Sequence, residues 1–258
     1  MKKSLKGKVG IEATMNLGTF KKLKMDSQLD FKITKIVEDM RLIKTKDELE
    51  KIKKALKIAE KSIHDIHFSK NENSTAAEIE YKMRIKGASK ASFDTIVASG
   101  IRSSLPHAEP TINPIERPVV IDWGANYENY CSDTTRTIIK SERHEEIFDI
   151  VLEAQKKAIN AIKPGVKASY IDKVARDVIG EYGYEESFLH STGHGVGLEV
   201  HEGLSLSKRE TIKLQKGMVI TIEPGIYLEN EFGVRIEDMV YMTNKGNVLN
   251  NLKPKISI

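Results

Sequence analysis

The order of elements constrains this chain most: two amphipathic helical stretches followed by short apolar strands, run through twice. Thr45 and Glu48 form a capping-box signature. Leu49, Ile52, Leu56, Ala59, Ile63 and Ile66 then recur at alternating steps of three and four, one apolar stripe of a long helix. Thr75 and Glu78 repeat the signature, and Gly87 offers a stop for the second helix. Strand-forming segments follow at 93–99, 118–127 and 130–139, with a hairpin turn between Asn126 and Asn129. The second half replays the order. A helix is expected over 142–162, stopped by Pro164-Gly165, and another from a cap at Ser169 to near Gly183. Strands are expected at 188–194, 217–223 and 234–242, with a short one after Lys245-Gly246. Such a chain is α+β with two related halves. Residue identity between the halves is slight, so the relation is one of architecture. Residues 1–40 read as strand, helix and strand, with 31–36 extended, a fragment too small to fold alone.

Composition narrows the function classes. Basic residues number 41 and acidic ones 37, a net charge of +4. That balance argues against a dedicated nucleic-acid binder. No apolar run approaches the roughly 18 residues a membrane span needs. The lysine-rich N-terminus has no apolar stretch behind it, so no signal peptide is expected. The single cysteine, Cys131, has no intramolecular disulfide partner and reads as a small buried residue. Together these predict a cytoplasmic protein.

The chemistry sits where apolar strands end. Val119-Val120-Ile121 runs into Asp122, and Asp133 follows on the return strand. A tight turn at 127–128 places Asp122 opposite Asp133, so the two carboxylates project to one face. Side by side and unpaired they repel, and one has to hold a proton or share a cation. Met218-Val219-Ile220-Thr221-Ile222 runs into Glu223, and Val234-Arg235-Ile236 into Glu237. Their even separation aligns only across an odd-length loop or a bulge. Between the pairs lies HSTGHGVGLEVH, with His190, His194 and His201. Its glycines predict a bent strand and close backbone approach to a ligand. Four carboxylates and an imidazole suit two divalent ions such as Mn, Co, Fe or Zn. Taken singly, each of these residues reads as a cap, turn or surface group; only their combined order is specific.

The series ASFDTIVASG, LPHAEPT, the Asp122/Asp133 pair, GHGVG, TIEPG and GVRIED resembles the pita-bread metallopeptidases over about residues 41–250. The first two segments and the TIEPG/VRIED pair resemble the proline-specific branch, Xaa-Pro dipeptidase and aminopeptidase P. The resemblance implies a pita-bread fold, two pseudo-symmetric halves of helices packed on a curved antiparallel sheet. It implies a catalytic domain at 41–258, with 1–40 similar to the tail of the branch's N-terminal α/β domain. Two divalent ions, Mn or Co foremost, would be held by Asp122, Asp133, His194, Glu223 and Glu237, with Asp133 and Glu237 bridging. Glu223 would also shuttle a proton, and His107 and His201 would stabilise the substrate carbonyl. His190 matches a further active-site histidine, and Arg235 a residue that orients the carboxylates. Tyr227 has no assigned role and reads as core packing. The implied substrate is a short peptide with proline second, and a homodimer is the implied assembly. HEGLSL after His201 departs from the family by lacking a proline. Methionine aminopeptidases share the five-ligand order, but the VRIED and LPHAEPT segments favour the proline branch. Non-enzymatic binding modules and creatinase-like enzymes on this fold lose ligands that this chain keeps.

Overall fold

A computed structural model describes residues 6–25, 28–64, 66 and 71–256. Part of the lysine-rich N-terminus, residues 1–5, lies outside the described residues. Two compact units divide the chain, Met1–Arg41 and Leu42–Ile258. In the first, strands Lys6–Ile11 and Gln28–Ile33 pair in parallel around helix α1, Leu17–Met25. Phe20 meets Phe31 edge to face at 5.4 Å. The expected extended stretch over 31–36 stops early, because helix α2, Ile36–Leu42, begins within it. Thr34 Oγ1 accepts the Ile36 amide, and Glu38 and Asp39 sit in the first turn, where the helix dipole favours them.

Residues 42–258 carry the repeated order. Helix α3, Lys46–Ile63, starts on the expected reciprocal box between Thr45 and Glu48. Helix α4, Glu72–Ile85, starts three residues earlier than its expected cap at Thr75. Asn71 caps it with Ser74, and Thr75 is buried in the first turn, its hydroxyl donating to the Asn71 carbonyl. Helix α5 spans Glu142–Ala161 and helix α6 spans Ala168–Glu181. Ser169 is not the cap of α6: the cap position is Lys167, without a side-chain bond, and Ser169 lies two residues further in.

Every strand pair described in this unit is antiparallel. Val119–Trp123 is flanked by Ile96–Ser99 and Thr134–Ile138. In the second half, Asp238–Met242 is flanked by Val219–Ile222 and Gly246–Val248. The expected strand over 188–194 shrinks to Gly193–His194. Arg176 of α6 takes the carbonyls of Phe188 and His190, which a neighbouring strand would need.

The two halves have their own cores. Ile58, Ala59, Ile63 and Ile79 pack on Val97, Ile121 and Trp123, whose indole donates to the Ala59 carbonyl at 2.9 Å. Ile147, Val151, Ile171 and Ile179 pack on Ile220, Ile222, Val234 and Val240. A third cluster, Leu49, Ile52, Leu56, Val196, Val219 and Met239, ties the first helix of one half to the strands of the other. Each such side chain, fully buried, contributes about 1.5–3 kcal/mol. Polar stitches cross the same seam: the Glu237 amide donates to Thr135 O at 3.1 Å, and the Arg235 amide to Thr137 Oγ1 at 3.0 Å.

The cap of α4 is testable. Asn71→Ala is expected to lower unfolding stability by about 1 kcal/mol. Glu78→Ala, at the residue the sequence pattern favoured, is expected to change it by less than about half that. Urea denaturation of both variants measures the difference, and equal losses would contradict the assignment.

Candidate metal centre

The hairpin after Val119–Trp123 turns at Glu128 and Asn129, both with positive φ (48° and 71°), as a two-residue turn of matching twist requires. Tyr127 therefore pairs with Tyr130, and Asp122 lies opposite Thr135 rather than Asp133. The expected turn at 127–128 is off by one position and the register by two. A shift of two keeps the face, so Asp133 sits diagonal to Asp122 and still points the same way. In the second half the odd loop exists. Leu228 pairs with Phe232 across residues 229–231, and Gly225 with Arg235. Ile222 pairs with Asp238 in the same register, which brings Glu223 and Glu237 face to face.

A cleft of about 190 Å³ gathers all the expected groups. Asp122, Asp133, His194, Glu223 and Glu237 line it, with His107, His190, His201 and Arg235. Three donor sets have ligand atoms within 4.8 Å of one another: Asp122, Asp133 and Glu237; His194, Glu223 and Glu237; Asp133, His194 and His201. The first two share Glu237. His194 is placed by its own backbone: Gly193 packs so tightly on the Thr221 carbonyl that a Cβ would come within 2.0 Å of it. The close approach expected of these glycines is thus to neighbouring backbone. His194 Nδ1 lies 3.1 Å from the Gly195 carbonyl and donates to it, leaving Nε2 free to face Glu223 Oε1 at 3.2 Å and Asp133 Oδ2 at 3.4 Å.

Hydroxyls hold the carboxylates in place. Thr135 Oγ1 donates to Glu237 Oε2 at 2.8 Å and accepts from Arg235 Nε at 3.1 Å. Thr221 Oγ1 donates to Glu223 Oε1 at 3.1 Å and accepts the His194 amide at 3.0 Å. Arg235 Nη2 pairs with Asp122 Oδ2 at 2.7 Å. Arg235 Nη1 donates to Tyr227 Oη at 2.7 Å, and that hydroxyl lies 2.8 Å from His190 Nε2. The buried Tyr227 thus links Arg235 to His190, a role that core packing does not describe. Its strand, Gly225–Leu228, directly follows Pro224, and the strand-favouring run Ile226-Tyr227-Leu228 is the signal that marks it.

Electrostatics shows what the cleft is suited to hold. Burial pushes Asp133 up to about 7, against the hydrogen bond from His194 and helped by the charge of Asp122. Burial pushes Glu237 well up, with Asp133, Glu223 and Asp122 adding to it. Burial also raises Asp122 despite Arg235. Glu223 goes the other way, to about 2, because the hydrogen bond and charge of His194 outweigh its burial. His194 is raised well above its usual value, the two carboxylates overriding burial. His190 falls to about 4 through burial and stays neutral, so its Nδ1 donates to Ser191 O and its Nε2 accepts from Tyr227. Asp122 Oδ1, Asp133 Oδ1 and Glu237 Oε1 are buried without a hydrogen-bond partner. Buried charged oxygens without partners fit cations, and this oxygen-rich set with one imidazole suits a pair of divalent ions.

Fold and site together define a metal-dependent hydrolase of the pita-bread type. The family model of metallopeptidase family M24 matches residues 50–244. The chain belongs to that family. It is 49% identical over 249 residues to the Xaa-Pro dipeptidase of Pyrococcus furiosus, covering 92% of this chain and 72% of that one. The solved prolidase from Pyrococcus furiosus superposes with a TM-score of 0.90 at 47% identity, over 96% of this chain and 77% of the other. The X-Pro aminopeptidase from Thermotoga maritima superposes with a TM-score of 0.90 at 41% identity, over 96% and 74%. Among the described residues, no helix is long and apolar enough to cross a membrane.

Metal loading should be proton-coupled. Asp133, pushed up to about 7, and His194, raised above its usual value, hold protons at pH 6 that ligation must displace. Calorimetric titration with Mn in buffers of different ionisation heat is expected to show about one proton or more released per chain at pH 6, and fewer at pH 8. Release independent of pH would contradict this electrostatic account.

Proposed function

We propose that the chain hydrolyses the bond before proline in Xaa-Pro dipeptides, using two divalent ions, Mn or Co. The observation that carries this reading is the pair of donor sets meeting at Glu237, with three unpartnered carboxylate oxygens turned inward. Asp122 would hold one ion, His194 and Glu223 the other, and Asp133 and Glu237 would bridge. Such ions supply Lewis-acid polarisation of the scissile carbonyl and acidify the attacking water. The chain's own groups carry the remaining steps. Glu223 takes a proton from the attacking water and delivers it to the departing nitrogen. Proline's amide nitrogen carries no hydrogen, so the C–N bond breaks to a stable secondary amine only if that proton arrives. His107 and His201 line the cleft and donate to the carbonyl oxygen as charge develops on it. His201 crosses the ring of His194 at 4.0 Å and 85°, within the donor set that it forms with Asp133 and His194. The Arg235–Tyr227–His190 chain fixes Asp122 at one end and a neutral imidazole at the other. The preference for dipeptides is supported by the 49% identity to the Pyrococcus furiosus Xaa-Pro dipeptidase.

Enzyme supplied with Mn or Co is expected to cleave Xaa-Pro dipeptides faster than Xaa-Pro-Pro peptides or Met-Ala-Ser. No turnover of either proline substrate would end the reading, and preference for Met-Ala-Ser would move it to the methionine branch. Asp133→Asn and Glu237→Gln are expected to weaken metal loading and lower kcat by about 100-fold or more with the fold intact. His201→Ala is expected to lower kcat while keeping its metal content. Equal metal loss in all three variants would contradict this division of roles.

A further inference from the structure

Glu72 stands outside the cleft, at the first position of α4, with its side chain wholly buried. Its carboxylate is saturated. Oε1 accepts from the Ser99 amide at 2.8 Å and from Ser99 Oγ at 3.0 Å. Oε2 accepts from the Thr111 amide at 3.0 Å, from Thr111 Oγ1 at 2.8 Å and from Arg102 Nε at 3.1 Å. One oxygen therefore holds the start of the 99–111 loop and the other holds its end. Burial pushes this carboxyl up, but the hydrogen bonds outweigh it and keep it ionised.

His107 is carried between those two ends and lines the cleft. Among the described residues, no hydrogen bond holds its ring. Its position is set by the backbone on either side. Among the ties on that backbone are Glu72 at the ends, Arg102 Nη2 donating to the Glu109 carbonyl, Arg235 Nη1 donating to the Pro106 carbonyl at 3.0 Å, and Ser103 Oγ accepting the Gly233 amide at 2.9 Å. The last two belong to the metal-side hairpin. Glu72 joins residues 99 and 111 through its two oxygens, and it also anchors Arg102, whose guanidinium reaches the Glu109 carbonyl.

We propose that Glu72 is a positioning residue for His107: by clasping residues 99 and 111 with one carboxylate, it fixes where the imidazole enters the cleft. This rests on the reading of His107 as a group that acts on the substrate carbonyl. A glutamine here would turn an amide N–H₂ toward donors that now share an oxygen, so one end of the loop loses its bonds to this side chain.

The test is a double-mutant cycle on the metal-loaded full chain with an Xaa-Pro dipeptide. Glu72→Gln is expected to lower kcat about tenfold or more, with KM changed less than about twofold. In a His107→Ala background the same change is expected to alter kcat by less than about twofold. An equal factor in both backgrounds would overturn the proposal, since a general loosening of the fold does not depend on His107. A second readout needs no turnover. In zinc-loaded protein labelled with ¹⁵N-histidine, Glu72→Gln is expected to shift the His107 ring signals and leave those of His194 and His201 in place. An unmoved His107, or all three moving together, would overturn it. Should wild-type enzyme cleave no Xaa-Pro peptide, the peptidase reading fails and the ring signals still decide the role of Glu72. Thr111→Val, which removes one donor and keeps the carboxylate, is expected to give the same pattern at smaller size if Glu72→Gln does not fold.

Discussion

Four carboxylates, Asp122, Asp133, Glu223 and Glu237, converge on one cleft, and the rest of the structure is organised around that congestion. Arg235 and His194 face them as the cleft's positive partners. Arg235 is committed to Asp122, and His194 to Asp133 and Glu223, which leaves Glu237 with a threonine hydroxyl and an unsatisfied oxygen. Like charges this close cannot all be ionised in a buried site unless cations come between them. The apolar strands that carry these groups are therefore frames, stiff enough to keep mutually repelling side chains aimed at a common point.

That stiffness has an identifiable origin. The seam between the halves is closed by Thr135 and Thr137, which bond to the backbone and side chains of Arg235 and Glu237. Arg136, wholly buried between them, reaches the Glu237 carbonyl and pairs with Asp238 Oδ1 at 2.6 Å. The run Thr135-Arg136-Thr137 of one half and Arg235-Ile236-Glu237-Asp238 of the other thus form a single buried polar seam. Each half contributes groups that are incompletely satisfied without the other.

Much of this was legible in the chain. Helix α3 and its reciprocal cap followed from local spacing, because Thr45 and Glu48 meet within one turn. The converging carboxylates were legible because Asp122, Glu223 and Glu237 follow apolar runs and Asp133 lies on the return strand beside Asp122. What escaped depended on partners distant in sequence or on competing local choices. Asn71 outcompetes Thr75 as a cap because its side chain reaches the Ser74 amide, while Thr75 is drawn into the core. The hairpin register turned on two residues with positive φ, Glu128 and Asn129, and the sequence did not mark which pair would take it. Tyr227 looked like packing because its two partners, His190 and Arg235, come together only in the folded sheet. Gly193 and Gly195 were rightly seen as sites of close approach, but what approaches is the backbone at Thr221 and Glu202.

The hairpin between Gly225–Leu228 and Phe232–Arg235 turns over three residues, with Asn230 at φ 59°. Side chains alternate faces along a strand, so parity matters there more than composition. An insertion or deletion of a single residue among 229–231 would invert every later side chain of that strand and swing Glu237 out of the cleft. Length changes by two would keep the facing. The tolerance of this tip to indels is therefore odd–even, a digital constraint on a segment that is otherwise exposed and free to vary in residue type.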